Sequence, residues 1–393
     1  MENVSSTSNA EGCVIALKGH VDSNNAAEVE AAIQVERTAH PEGNLTLDAQ
    51  LLDYISSAGL RVILRLSKNE PSLRFVNVSS AVYEVLEMTG FAEMIPVEKA
   101  YRVLSVEGCE MIGQGSNGKV YRLDPDTIIK VYNNPDALPD IRRERELARK
   151  AFVKGIPTAI PYDVVKVGAG YGSVFELLSA KSFSKLLKED PSRQDELAQL
   201  FVDLLKKIHS TEVQPGDLPC FKDGALVWAD FLQKYLSPSD GAKLLRLMKE
   251  VPDVHRMMHG DYHTKNVMMQ GKDVLLIDMD TLSYGHPIFE IAGMYLSFVG
   301  FGELDPEGAG AFLGIPYEQS CAFFAKSMQL YLGTTDSKLI QTVVDKARLI
   351  GYSRLARRTI RRIGFEDEKG KALIEHCLKN ISILLVKTDS LAF

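Results

Sequence analysis

His259-Gly260-Asp261-Tyr262-His263-Thr264-Lys265-Asn266 is followed, after one short strand, by Leu275-Leu276-Ile277-Asp278-Met279-Asp280. Two clusters of carboxylate and amide oxygen, joined by a hairpin, are the donor set of a magnesium-nucleotide site, because a hard cation takes oxygen ligands and shares them with phosphates. On this reading Asp261 accepts the proton of a substrate hydroxyl. Asn266 ligands a metal, and Asp278, at the end of an apolar strand, holds the principal magnesium. Asp280 either assists or caps the next turn. An isolated His-Gly-Asp is a common structural triplet, so the reading depends on what surrounds it.

Upstream, Gly113-Gln114-Gly115-Ser116-Asn117-Gly118 is a G-x-G-x-x-G. A dinucleotide fingerprint of that form opens a helix. Here Lys119-Val120-Tyr121-Arg122-Leu123 follows, then a turn at Asp124-Pro125-Asp126, then Thr127-Ile128-Ile129-Lys130-Val131-Tyr132. Strand, glycine turn, strand and strand describe a hairpin lying over nucleotide phosphates, with Gly113, Gly115, Ser116 and Gly118 against them. Lys130 sits in an apolar β run, where an ammonium needs an anion. Ile141, Glu144, Ala148 and Ala151 recur at helical spacing, which puts Glu144 beside the apolar face as its partner; Glu146 is the fallback. A solvated lysine on an edge strand is the plain alternative.

From about Cys109 to Phe393 the chain resembles the aminoglycoside phosphotransferase and choline kinase-like superfamily, on H-G-D-x-x-x-x-N, I-D-x-D, the glycine loop and the lysine. The resemblance implies a bilobal protein-kinase-like fold, ATP and Mg as cofactors, and phosphorylation of a small hydroxyl-bearing molecule. It matches Asp261 to the catalytic base, Lys130 and Glu144 to the phosphate lysine and its partner, and Asn266 and Asp278 to the metal ligands. Glu176-Leu177-Leu178 are similar to the hinge that meets adenine through backbone groups, so Glu176 and Leu178 join the nucleotide set. Gly285-His286-Pro287 to Ala292 is similar to a structural motif that usually carries Asp, and Glu290 stands in that place. Few residues separate Asp280 from Gly285, and no Ala-Pro-Glu follows, so a small molecule is favoured over a protein as acceptor.

Residues 12 to about 100 resemble a STAS domain, the fold of anti-sigma-factor antagonists, on Gly19-His20-Val21-Asp22 and Leu52-Asp53-Tyr54-Ile55-Ser56-Ser57-Ala58-Gly59-Leu60. Cys13–Leu17, Leu45–Leu47 and Leu73–Val78 read as strands alternating with helices at Ala26–Arg37, Ser57–Leu66 and Val82–Met88, an α/β unit with a parallel or mixed sheet. In the familiar D-S-S-G-L form the phosphoacceptor precedes glycine. Ala58 occupies that position and cannot accept phosphate. Ser57 is the remaining candidate acceptor, and the alternative is that Ser56 or Ser57 caps the helix.

The 393 residues divide on these signals into a STAS-like regulatory unit over 1–104, a β-rich small lobe over 105–178 and a helical large lobe over 179–393. Hydrophobic residues at 45% and charged residues at 25% indicate an ordinary globular protein. Of the formal net charge of -7, most lies in the first unit, and no basic domain points to nucleic acid. Five scattered cysteines form no C-x-x-C pair, and the reading is reduced, mostly buried thiols. Met1–Ser5 has neither the charge nor the apolar run of a signal peptide, and Ile291–Gly302 falls short of a membrane span, so the expectation is a cytoplasmic chain with no membrane partner. A protein partner through the first unit is a further expectation, and the alternative functions are a protein serine kinase acting on STAS-type partners or a nucleotide-binding scaffold. Arg354, Arg357, Arg358, Arg361 and Arg362 share a helix face, suited to an anionic substrate, an acidic partner or plain solvation. His263 and His286 read as structural or substrate-side groups, with no spacing for zinc.

Overall fold

The computed structural model describes residues 4–9, 12–115 and 117–393. In chain order its elements begin with β1 (Val4–Asn9), β2 (Gly12–Val21), α1 (Ala26–Ala39), β3 (Asn44–Ile55), α2 (Ser57–Asn69), β4 (Arg74–Val78), α3 (Ser80–Met88), α4 (Phe91–Met94), β5 (Val97–Lys99) and β6 (Val103–Leu104). There follow β7 (Met111–Gln114), β8 (Gly118–Arg122), β9 (Thr127–Tyr132), α5 (Leu138–Val153), β10 (Asp163–Val167), β11 (Gly170–Glu176), β12 (Lys181–Ser182), α6 (Phe183–Glu189) and α7 (Gln194–Ser210). The remainder comprises α8 (Phe221–Leu232), α9 (Pro238–Lys249), β13 (Met257–Met258), β14 (Val267–Gln270), β15 (Asp273–Leu276), β16 (Ser283–Tyr284), α10 (Ile288–Phe298), α11 (Pro306–Leu313), α12 (Tyr317–Leu332), α13 (Ser337–Arg362) and α14 (Glu368–Lys387). Two compact units result: one of residues up to Glu107 together with Val164–Tyr171, the other of Gly108–Asp163 and Gly172–Phe393.

The first unit is a mixed five-stranded sheet in the order β1-β2-β3-β4-β5. Its three inner pairings are parallel, and only β1 runs antiparallel to β2. Cys13, Ile15 and Leu17 alternate into the core of β2, where they meet Leu45, Leu47 and Phe75. Strands buried this way are flanked by crossover helices, which explains the strand-helix alternation in the sequence. β1 and β5 carry too little apolar signal to be read from sequence.

In the second unit, β7, β8, β9 and β11 form an antiparallel run with α5 following the third strand. The large lobe is helical around one apolar core, in which Phe201 lies against Tyr262, Phe298 and Phe323 at ring distances of 4.4, 5.9 and 5.3 Å. α10 absorbs the most apolar stretch of the chain and is buried on nearly every side, the fate of a helix that is hydrophobic all round. Among the described residues no helix is long and apolar enough to cross a membrane. The sequence beyond Asp140 reads as mainly helical, with one helix expected from Trp228 to Leu236; that helix starts earlier, at Phe221, and stops at Leu232, and α6 and α11 lie outside the expected helical segments. The tail beyond Asp336 is two helices broken at Gly364, whose φ of 81° is left-handed. All five cysteines are free thiols, but only Cys13 and Cys377 are buried, so the expectation of mostly buried thiols is corrected: the other three are partly exposed.

Candidate active site

β9 carries Lys130 inward beside the buried Ile129. α5 turns Ile141, Glu144, Leu147, Ala148 and Ala151 into the protein on one face, so a carboxylate rides on an otherwise apolar stripe. Lys130 Nζ donates to both Glu144 oxygens, at 2.9 and 3.1 Å, and to Asp278 Oδ1 at 3.0 Å. Burial works against the lysine's charge, but the Asp278 and Glu144 carboxylates overcome it and hold the ammonium above its ordinary range. Glu146, the fallback partner, lies on the outer face and pairs with Lys150 at 2.7 Å.

Tyr132 was missed in the sequence. Two residues after Lys130 on the same strand face, it donates its hydroxyl to Glu144 Oε2 at 2.6 Å. The period of two was the available signal, but an aromatic at a strand end reads as core. The Glu144 carboxylate is thus held by a charged and a neutral donor together.

The β7–β8 hairpin closes with Gly115 N–H donating to Gly118 O at 2.9 Å. A Cβ on Gly118 would lie 2.4 Å from the Val131 carbonyl, so the close approach of β8 to β9 requires glycine there. Nothing within 4 Å would oppose a Cβ on Gly115, and the nearest atom to one on Gly113 is at 3.7 Å. Ser116 lies outside the described residues. Asn117 Nδ2 donates to Asp280 Oδ2 at 3.1 Å, so the hairpin tip reaches the second aspartate of I-D-x-D. A cavity of about 400 Å³ is lined by Asn117, Tyr132, Glu144 and Asp280, among others. At the far end of the sheet, exposed Glu176 pairs in register with Thr127, Leu177 N–H donates to Asp126 O at 2.7 Å, and Leu178 is half-buried.

The loop after β13 is suspended from buried groups. Glu290, wholly buried on α10, accepts from His259 N–H at 2.6 Å and Gly260 N–H at 2.9 Å. The glutamate in the aspartate position therefore ties down the backbone immediately before Asp261. Thr281 Oγ1 donates to His259 O at 2.8 Å. Gly260 has φ 84°, and a Cβ there would sit 2.5 Å from Thr281 O, so only glycine lets the loop turn. Tyr262 anchors the other side, donating to Phe201 O at 2.8 Å inside the core.

Asp261 itself stands partly in solvent, its side chain 42% exposed, with His263 Nε2 3.5 Å from Oδ2. Burial raises its pKa, but His263, His259 and Arg354 more than offset this and hold it down at about 2. Asn266 Nδ2 donates to Asp261 O at 3.0 Å, and Asn266 O accepts from Ile277 N–H at 3.0 Å, which ties the loop to the start of I-D-x-D. Asp278 follows with φ 65° and ψ 71°, a left-handed conformation unusual for a residue with a Cβ. Asp280 is pushed up to about 7 by burial and then by the Asp278 charge. His263 and His286 are both buried, the first against Asp261 and the second accepting Ile288 N–H at Nδ1.

A lysine clamped between a helix glutamate and an aspartate, a glycine hairpin whose tip reaches Asp280 and a tied-down Asp261–Asn266 loop form the residue set that a phosphoryl-transfer cleft of the kinase type would require. Residues 109–324 match a family model described as "Phosphotransferase enzyme family", and the chain belongs to that family and is a phosphotransferase enzyme. Residues 4–96 match the model "Mlab, STAS domain", so the first unit is a STAS domain. That unit is similar to BtrV of Bordetella bronchiseptica, named as a candidate anti-sigma factor antagonist, with 42% identity over 94 residues, 22% of this chain and 78% of that one. Among solved structures, the GDP and kanamycin complex of APH(2")-IIia overlays with a TM-score of 0.48 at 11% identity, covering 78% of this chain and 99% of the other. A choline/ethanolamine kinase family protein from Mesorhizobium loti gives 0.46 at 13%, covering 72% and 88%.

Proposed function

We propose that the chain is an ATP- and magnesium-dependent phosphotransferase that moves the γ-phosphoryl group to a hydroxyl of a small molecule in the cytoplasm, with the STAS domain as a regulatory or partner-binding module. The observation that carries the reading is Lys130 Nζ bridging Glu144 and Asp278 at 2.9 and 3.0 Å, a cation presented where phosphates would lie. Lys130 orients the α- and β-phosphates, Gly113, Gly115 and Gly118 leave the hairpin bare above them, and the backbone at Glu176 and Leu178 meets the base. The acceptor oxygen forms a bond to the γ-phosphorus as the bridging bond to the β-phosphate breaks, and the hydroxyl proton goes to Asp261. Its low pKa keeps that carboxylate ionised, so it orients the hydroxyl by accepting its hydrogen bond, and the proton moves only as the acceptor oxygen loses charge to phosphorus.

The donor set fits magnesium. Asn266 spends its amide nitrogen on Asp261 O, which leaves its oxygen for a cation beside Asp278. Among the described residues no cluster of three or more His, Cys, Asp or Glu could cage a metal, and magnesium is ordinarily held by one or two carboxylates and the substrate's phosphates. When bound, the ion would neutralise charge on the β- and γ-phosphates.

A small acceptor is supported by the short return from Asp278 to β16, one 3-10 turn over Met279–Thr281, which leaves no long segment to seat a peptide. In the STAS domain, Ser56 caps α2, its Oγ accepting from Ala58 N–H at 3.1 Å, while Ser57 is exposed at the first helical position with its hydroxyl outside that cap. Ser57 is accordingly the site for a regulatory phosphate, and phosphosite mapping after incubation with the kinase of a partner tests it. For the enzyme, a panel of hydroxylated metabolites and aminoglycosides is screened for ADP release. Asp278→Ala should abolish turnover, and Asp261→Asn should lower it strongly with ATP still bound. Wild-type turnover in either variant with a cognate acceptor overturns the assignment.

A further inference from the structure

The arginine row of α13 is not absorbed by phosphoryl transfer. α13 also carries Arg348, which shows what a settled arginine looks like in this helix: it pairs with Asp345 at 3.2 Å and donates to Tyr352. One turn further on the pattern stops. Arg354, Arg357, Arg358, Arg361 and Arg362 form no ion pair among the described residues, although acidic residues outnumber basic ones in the chain.

The row begins at the catalytic loop. Arg354 reaches Gly260 O at 3.4 Å, the carbonyl next to Asp261, and its charge acts on Asp261. Gly293 on α10 lies beside this contact, the position of a Cβ there being 3.7 Å from the guanidinium and 3.8 Å from that carbonyl, ordinary packing distances. Arg354 lies over the Trp228 ring at 5.7 Å and Arg357 over Phe231 at 5.8 Å, so α8 supplies an aromatic floor beneath two guanidinium groups at cation–π distance. Arg357 Nε is buried without a hydrogen-bond partner, an orphaned donor beside a neighbouring positive charge at Arg361. Cations without carboxylate partners at helical spacing on one face repel one another, and an arrangement that keeps them together is relieved by an anion.

Resting on the phosphotransferase reading, we infer that this row is an acceptor subsite: the hydroxyl compound phosphorylated at Asp261 also carries a phosphate or carboxylate, gripped by Arg357 and Arg358 with Arg354 between it and the reacting hydroxyl. At about 1.5 Å of rise per residue, these guanidinium stems leave the α13 axis roughly 5 Å beyond Arg354, and Arg361 roughly 10 Å beyond it. A short carbon chain spans that separation.

Trp228 is the chain's one tryptophan and lies under Arg354, so its fluorescence reports the subsite directly. The full chain, without ATP, is titrated with glycerol 3-phosphate, with D-glycerate and with uncharged glycerol. A saturable response to at least one of the two anions, with none to glycerol, is expected, and the two anion arms show which group is preferred. Arg357→Gln with Arg358→Gln should weaken that response at least tenfold; Arg361→Gln, on the exposed end, tests the row should the double variant fail to fold. A response equal for glycerol, one insensitive to these substitutions, or, in a parallel titration with poly-glutamate, a response to that polymer and to neither small anion overturns the inference. Because no ATP is present, failure here is separate from failure of phosphoryl transfer, which the Asp278→Ala turnover assay reads.

Discussion

Replacing Glu290 by alanine removes the carboxylate that accepts the backbone N–H groups of His259 and Gly260. Two N–H groups, at 2.6 and 2.9 Å from the carboxylate, would be left in a site with no exposure. Hydrogen bonds to a charged acceptor are each worth about 1.5–3 kcal/mol, and stripping one partner from a buried charged arrangement costs about 3–5 kcal/mol. At roughly 2–4 °C per kcal/mol for a unit of this size, the melting temperature should fall by about 10 °C. Trp228 fluorescence follows the transition, since that residue belongs to the second unit. Glu290→Gln keeps one accepting oxygen but turns an amide NH₂ toward the other donor, and should lose about half as much. Glu290→Asp retracts the carboxylate by about 1.5 Å, beyond hydrogen-bond reach of both donors, and should behave nearly as badly as alanine although it keeps the charge. Turnover should fall further than stability at a permissive temperature, because the released backbone carries Asp261. An alanine variant that melts within 2 °C of wild type and keeps its turnover would refute the suspension of the loop from α10.

Gly260→Ala places a methyl 2.5 Å from Thr281 O at φ 84°, and should cost at least about 2 kcal/mol in urea unfolding with a sharp loss of turnover. Tyr132→Phe removes one of the donors on Glu144 and should raise the KM for ATP several-fold with little change in melting, which steady-state kinetics would detect. His286 should set an acid limit on stability. Burial, with the charges of His209 and Lys346, lowers its pKa from 6.5 to about 4, and Ile288 N–H donates to its Nδ1. The unfolded chain therefore binds a proton that the folded one refuses, so stability is complete above about 6.5 and declines toward 4. Denaturation midpoints at pH 7.5 and 5 should differ in the wild type and converge in His286→Asn; equal midpoints in the wild type would exclude the effect.

The order of chemistry along the chain was legible without coordinates, because glycine loop, Lys130, His-Gly-Asp and Ile-Asp are local patterns whose backbone demands are set within a few residues. The strand-helix alternation of the first unit was equally local, since the apolar run Cys13–Leu17 advertises a strand, although its alternating burial is seen only in the fold. Helical spacing already favoured Glu144 over Glu146 as the partner of Lys130, and α5 packs that stripe inward. Other pairings across sequence distance depended on the tertiary structure: Tyr132 and Asn117 acquire partners only once β8, β9, α5 and the I-D-x-D turn converge. Glu290 reads as a departure from a motif until α10 is seen to carry it beneath Gly260, thirty residues away. The arginine row was visible as a helix face, but its lack of partners and its start at Asp261 belong to the packing of α8 and α10 against α13. Periodicity states which residues share a face; only the assembled fold states what that face meets, because the energy of a buried charge depends on neighbours that the chain brings from far away.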